Sequence, residues 1–433
     1  AGMAEESKGP TGGDAGASGS LMDKAFITIT LLCGVVGIIA GLFTAVFFLT
    51  VFPALDFIWT TVPNSYGITG TDMAIYTVAI CTLGGLVVGL TIKLTREPAT
   101  VLAEEMDEVA ESGRIRPRGG IANLVRGSFA IIFGGSVGPE GPLIAGSGAI
   151  GTWLADKTKL PSQGVAAYTF AAVSGTMGSF FGNPFAMSII TVEGSLEKGH
   201  FSWRMLIPGI VASTTGYVVF FILTGSVMGK YTFPPYPEFH LYDLGYAVIL
   251  GAIGAAIGLA FIYVFQWMRR RTTPYKRYPV IQAVIGGLIL GIVGVLFPLT
   301  LFTGETQVND VIEQAATLGV VMLLVLALVK MLLTSWCIGT GWAGGYIFPT
   351  LFMGAAVGMA ISIALPFIPA GVCLACVMGA IFVSVFKSPI AVTMITATLF
   401  TATLIPAATI AVITSLMITY AVPLIPKATA SKS

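Results

Sequence analysis

From Ala25 onward, apolar stretches follow one another almost without pause, and no other feature of the sequence restricts its folding as strongly. A bilayer core about 30 Å thick is crossed by about 20 helical residues. Long candidates are 25–52, 72–94, 202–226, 241–268, 279–302, 309–337 and 401–424. Between them lie pieces too short, or too broken by glycine and proline, to cross alone: 121–137, 142–154, 164–181, 184–193, 346–364, 369–386 and 389–399. Non-helical backbone is tolerated at membrane depth only where protein or a water-filled cavity surrounds it. The sequence therefore predicts an all-α, polytopic membrane protein whose broken segments form a transport pathway.

Composition narrows the function classes. Only 10% of the 433 residues are charged and 55% are hydrophobic, where soluble domains carry about 25% charge. A net charge of +1 leaves no basic face for a polyanion, so no nucleic-acid partner is expected. Two histidines, His200 and His240, and five scattered cysteines speak against a zinc enzyme or a disulfide scaffold. The lone C-x-x-C, Cys373 and Cys376, sits in an apolar run and reads as core packing. Composition alone does not exclude a haem or nucleotide enzyme, but no Walker or Rossmann pattern stands in a strand-turn-helix context. With no nucleophile–base pair or metal cluster visible either, the expectation is a protein that is not an enzyme and carries no metal or cofactor.

Residues 1–23 are polar, Gly/Ser-rich and acidic on balance, and read as a disordered tail without a secretory signal. Residues 427–433 read as a short second tail, and no cytoplasmic regulatory domain is expected. Arginine and lysine clusters mark the cytoplasmic face: Arg114, Arg116, Arg118 and Arg126, then Arg269, Arg270, Arg271, Lys276 and Arg277, with Lys427 and Lys432. The stretch 101–118 has its acids first and its arginines last, as a short helix favours. It reads either as a solvated cytoplasmic helix or as surface groups that handle protons. The chain also repeats itself. Segment 174–192 lies over 379–397 at one constant offset, matching Ser179 to Ser384, Phe181 to Phe386, Pro184 to Pro389, Ala186 to Ala391 and Thr191 to Thr396. Two membrane repeats, 24–232 and 233–426, would each contribute a broken element to a shared site at mid-membrane.

Two segments carry the chemistry. In GGSVGPEGPLIAGSGAIG (134–151), Glu140 stands among glycines and prolines just before an apolar helix. Proline suits a first helical turn, Gly138 and Gly141 allow close backbone approach, and the unpaired amides of a helix start favour an anion. One helix dipole contributes about 0.3–2 kcal/mol, whereas removing water from an ion costs several kcal/mol, so more than one start must converge. The second half supplies GTGWAGGYIFPTLFMGAAVG (339–358), with Gly344 and Gly345 ahead of Tyr346, Ile347, Phe348 and Pro349. The amides of Tyr346 and Ile347 are its natural donors. The alternative is that these glycines only permit close helix packing. Glu140 itself marks an ion or proton route, since a carboxylate at mid-membrane is costly. Deprotonated it occupies the anion's place; protonated it swings aside. Its alternative role is that of a helix-capping acid near the water interface.

The pair GPEGP (138–142) and GGYIFP (344–349), about 200 residues apart in a two-repeat chain, resembles the CLC chloride channels and chloride/proton antiporters. The resemblance spans roughly residues 25–424, is specific at these two motifs, and extends weakly to 182–199 and 388–400. It implies antiparallel repeats, a homodimer with one pathway per subunit, and Glu140 as the gate. It also implies anion binding around Gly138 and Gly141 and around Gly345, Tyr346, Ile347 and Phe348. The departures are as informative. Pro139 stands where the family usually has Lys or Arg. The family's G-S-G-x-P segment is missing, and spacing leaves Thr100 as the substitute for its anion-touching hydroxyl. The family's closing tyrosine lacks a clear counterpart, Tyr420 lying too early. Glu193 falls one position before the glutamate that receives cytoplasmic protons in antiporters, and Gly194 falls on it.

The function expected is transport of chloride or a similar anion, gated by protonation of Glu140, with Glu140 and Glu193 on any proton path. Channel and antiporter both stay open. One alternative is a fluoride/proton antiporter of the same fold, and another is a proton-coupled transporter of an organic or cationic solute. The expected partners are the anion, protons and the lipid bilayer, and the expected location is a prokaryotic inner membrane.

Overall fold

The computed structural model describes residues 24–158, 162–196, 205–225, 231–236 and 238–425. The expected tails, 1–23 and 427–433, lie outside the described residues. The first half contains α1 (Lys24–Asp56), α2 (Val62–Tyr66), α3 (Gly70–Thr95), α4 (Leu102–Ser112), α5 (Pro117–Ile132), α6 (Glu140–Lys157), α7 (Ser162–Phe181), α8 (Pro184–Leu196) and α9 (Leu206–Thr224). The second contains α10 (Asp243–Thr272), α11 (Pro279–Leu296), α12 (Glu305–Glu313), α13 (Ala315–Gly339), α14 (Ile347–Ala364), α15 (Ala370–Phe386), α16 (Pro389–Leu399) and α17 (Ile405–Thr419).

Local chemistry sets these boundaries. Pro117, Pro279 and Pro389 open α5, α11 and α16, where a missing N–H leaves no helical bond unmade. Gly113, with φ +68°, ends α4 in the left-handed conformation that glycine adopts without strain. Eight described helical runs are long and apolar enough to cross a membrane. One of them, Ile347–Ala364, corrects the expectation that 346–364 is too broken to cross. Its Pro349 lies in the first turn, where proline does not interrupt a helix, and 78% of its apolar window is buried in protein. The expected span 309–337 is in turn divided, because Gly319 leaves the helical region at φ +71° inside α13 and α12 precedes it as a separate short helix.

The two halves repeat one packing scheme. In the first, α6 packs between α5 and α7, and α7 also packs on α1 and α9; in the second, α14 packs between α13 and α15, and α15 on α10 and α17. The halves meet along α3 and α11 and along α8 and α16. Helices in lipid gain little from burying apolar surface, so they associate where small residues let backbones approach. The α3–α11 seam shows this: a methyl group at Gly85 would fall 2.2 Å from the Ala283 carbonyl oxygen, and one at Gly287 would fall 2.1 Å from that of Cys81. Outward-facing Leu31, Ile75, Ile222 and Val321 remain exposed, as lipid-facing side chains must. The five cysteines are buried free thiols, and Cys373 and Cys376 lie in the core of α15. The helices α6 and α14, both largely enclosed by protein, start where the two halves meet.

Candidate anion site

Each half reaches its site through a turn that ends one helix and starts the next. After α5 the chain reverses at Gly134, whose φ is +84° and where a methyl group would fall 2.6 Å from the Trp59 ring. After α13 it reverses at Gly341, with φ +94°. The two turns meet in a single antiparallel bridge: Gly138 N–H donates to Gly345 O at 2.8 Å, and Gly345 N–H donates to Gly138 O at 2.7 Å. Two helix starts from opposite halves are thereby fixed side by side, α6 from Glu140 and α14 from Ile347.

Glu140 is fully buried. Its Oε1 accepts a hydrogen bond from the Ile347 amide at 2.5 Å, the first amide of α14. Its Oε2 has no hydrogen-bond partner among the described residues. The glycines of the bridge flank it closely, for a methyl at Gly138 would lie 2.0 Å from Oε2 and one at Gly345 would lie 2.2 Å from Cδ. Gly141 closes the other side, where a methyl would lie 2.8 Å from the Gly344 carbonyl carbon. The carboxylate thus sits in a slot that only glycine leaves open, at a helix start whose dipole favours negative charge.

The structure assigns different parts to the expected residues. The amides of Gly138 and Gly345 donate to each other's carbonyls and so present no donor to an ion, whereas the amide of Ile347 donates to the Glu140 carboxylate. Phe348 stacks on Phe181 with ring centroids 5.4 Å apart and meets Phe180 edge-on at 5.9 Å, forming an apolar wall. Tyr346 packs its ring against Phe261, Phe265 and Phe386. Thr100 donates its hydroxyl to Glu105 Oε1 at 2.9 Å, so this hydroxyl is committed to a protein carboxylate rather than free for an anion. Glu193 accepts from the amides of Ile390 at 3.1 Å and Ala391 at 3.0 Å, capping the start of α16.

A cavity of about 570 Å³ leads away from the Ile347 side of the slot. Asp107, Glu193, Tyr346, Lys387 and Tyr420 are among its lining residues, and Thr100 is not. Tyr420 therefore faces this vestibule although its position in the sequence looks too early. Nothing in the sequence marks Lys387 except its place at the α15–α16 break, where it adopts φ +57° and donates to the Thr419 carbonyl at 2.5 Å. On the other flank, Lys330 is fully buried and donates to the carbonyls of Thr300, Leu301 and Phe302 at 3.1, 3.3 and 2.8 Å. That turn holds the first loop through Phe302 N–H to Gly134 O at 3.1 Å and Ser136 Oγ to Thr300 O at 2.9 Å. Among the described residues, no group of three His, Cys, Asp or Glu side chains is placed to hold a metal.

Paired repeats of membrane helices, with two broken-helix starts meeting around a buried carboxylate, define a repeat-built membrane transport protein. The chain belongs to the voltage gated chloride channel family, whose sequence profile matches residues 83–420. It is 30% identical over 341 residues to the "Putative ion-transport protein YfeO" of Salmonella newport (strain SL254), covering 76% of this chain and 79% of that protein. Its fold is similar to that of a slow cyanobacterial Cl⁻/H⁺ antiporter, with a TM-score of 0.79, 17% identity, and coverage of 91% of this chain and 94% of that one. It is likewise similar to a CLC-type fluoride/proton antiporter, with a TM-score of 0.77, 19% identity, and coverage of 92% and 97%.

Proposed function

We propose that this protein exchanges a small anion, chloride or a similar ion, for protons across the membrane, with Glu140 as the gate. The observation that carries this reading is the buried Glu140 carboxylate, held between Gly138 and Gly345 with one oxygen on the Ile347 amide. A slot that holds a carboxylate offers the same donors to a permeant anion. Ionised, Glu140 competes for that slot. Protonated, it loses the charge-assisted part of its hydrogen bond and the attraction of the helix dipole, and it leaves. Partial charges on amides hold an anion weakly enough to release it again. The likeness to two structures named as antiporters favours exchange over passive conduction. The reading includes a homodimer with one pathway in each subunit.

The test is reconstitution of the purified protein in liposomes, with chloride and fluoride gradients run side by side and anion efflux recorded together with proton uptake. Downhill anion flow is expected to drive protons uphill in the wild type. Glu140→Gln is expected to pass anions without moving protons. Absence of flux for both halides, or a cation uptake that collapses in Glu140→Gln, would overturn the reading in favour of a different solute.

A further inference from the structure

Among the buried ionisable groups outside the slot that keep an unpartnered polar atom, Glu105 is the carboxylate nearest the vestibule along the chain. Glu105, on the amphipathic helix α4, is 2% exposed. Its Oε1 accepts from Thr100 Oγ1 and from Asn123 Nδ2, while its Oε2 has no partner among the described residues. A buried carboxylate oxygen without a partner carries an uncompensated desolvation cost as long as the group stays charged.

The surroundings do not remove that cost. Arg126 of α5 directs its guanidinium at the carbonyls of Glu97 and Pro98 and at Asn123 Oδ1; its charge is felt by Glu105, but among the described residues the two form no direct ion pair. On its own helix Glu105 is faced by Glu104 and Glu108. Glu104 is paired with Arg269 of α10 at 2.5 Å, and Glu108 with Arg116 at 3.3 Å. From the other helices packed on α4, Glu140 stands at the start of α6 and Glu193 on α8. Burial pushes the Glu105 carboxyl up to about 8, against the pull of its two side-chain donors, with Glu104 and Glu108 adding to the rise.

Its position joins two regions. Met106 and Asp107, the next residues on α4, line the vestibule, which has ample room for water. The buried Tyr346 also lines it, and the Tyr346 phenol lies within electrostatic reach of Glu140, Asp107, Glu105 and Glu104. Tyr346 immediately precedes Ile347, whose amide holds Glu140. Glu193 is placed differently: both of its oxygens are taken by the α16 amides, and protonating it would break a helix cap.

We propose that Glu105 is the group through which protons from the arginine-rich side reach Glu140, with Tyr346 as the relay between them. This rests on the proton-coupled reading above. Water in the vestibule delivers a proton to the free Oε2 of ionised Glu105, making it neutral. Neutral Glu105 then gives up a proton to the Tyr346 hydroxyl, directly or through water, as that hydroxyl gives its own proton to Glu140. Glu105 returns to its anion, Tyr346 is unchanged, and Glu140 becomes neutral and leaves the slot.

The experiment uses the full chain in liposomes, with anion efflux and proton uptake recorded together for the wild type, Glu105→Gln, Tyr346→Phe and Glu193→Gln. Glu105→Gln is expected to slow proton uptake by about a hundredfold, the lower range for loss of a positioned proton-transfer group, while anion efflux continues. Tyr346→Phe is expected to slow proton uptake in the same direction, and Glu193→Gln to keep the wild-type ratio. A wild-type ratio in Glu105→Gln, or loss of proton uptake in Glu193→Gln alone, overturns the proposal and leaves the anion/proton reading standing. Anion efflux without protons in the wild type overturns both. Should Glu105→Gln fail to fold, Asn123→Leu removes one donor to the charged form. It is expected to move the half-maximal pH for proton uptake upward, and an unmoved midpoint overturns the proposal.

Discussion

The backbone amide of Ile347 donates to the carboxylate of Glu140 at 2.5 Å, across 207 positions of sequence. The acid comes from the start of α6 in the first half and the donor from the start of α14 in the second, so the slot exists only when both halves are folded. In the gating proposed above, protonation of Glu140 frees that slot. Anion flux in the wild type is therefore expected to rise as pH falls, and flux in Glu140→Gln to be flat with pH. Parallel slopes in the two proteins, read from efflux at stepped pH, would remove Glu140 from the gate.

The bridge between Gly138 and Gly345 leaves no room for a side chain facing Glu140. A methyl at Gly345 would lie 2.2 Å from Cδ of Glu140, far inside contact distance. Gly345→Ala is expected to expel the carboxylate, giving weak pH dependence, and to lower the thermal midpoint through overpacking of about 1–3 kcal/mol. Efflux at two pH values and a thermal scan in detergent check both parts. An unchanged pH profile counts against the slot as described.

Lys330 ties the turn 300–302 together from inside the protein, and the same turn anchors the loop that carries Gly138. An intramolecular hydrogen bond contributes about 0.5–1.5 kcal/mol. Lys330→Met keeps much of the volume and removes the donors, so a thermal midpoint lower by several degrees is expected, together with slower anion flux. A midpoint equal to that of the wild type would mean that the turn holds without the amine.

Glu105 links stability to pH, with a defined sign. Burial raises its carboxyl from 4.5 to about 8, so the folded protein binds the proton more tightly than the unfolded chain. That contribution is fully present below about pH 4.5 and is lost as pH rises through about 8. Thermal midpoints of the wild type are expected to fall across this window relative to those of Glu105→Gln, which carries no proton to lose. Curves that stay parallel from pH 5 to pH 9 would contradict it.

The Arg114–Asp156 pair, at 2.6 Å with side chains 44% and 46% exposed, supplies a contrast. Exposed ion pairs contribute about 0–1 kcal/mol. Asp156→Asn is expected to leave both flux and the thermal midpoint near wild-type values.

The sequence made visible whatever follows from near neighbours along the chain. The glycines and prolines around Glu140 and before Ile347 mark helix starts because proline and glycine act on their own backbone. Continuous apolar runs announce membrane helices because crossing is a matter of length and hydropathy. The same locality misled where partners matter. Segment 346–364 looked too broken to cross, yet its proline falls in the first turn of a helix that protein encloses. Thr100 stood out as a hydroxyl for an anion, but Glu105, five residues on, accepts its hydrogen bond. Lys330 and Glu105 sit in ordinary helical patterns, and no local signal says that either is buried among polar atoms of other segments.

The amino-acid order alone determined an all-helical membrane chain with two glycine-rich interruptions and an acid in the first, because helix formation, breaking and membrane partition depend on residues a few positions apart. The tertiary structure alone decided that Gly138 pairs with Gly345, that Glu140 lies on the amide of Ile347 rather than in solvent, and that Glu105 and Lys330 are enclosed. Those outcomes depend on which faces of distant helices come together, and packing sets that through shape at ångström separations.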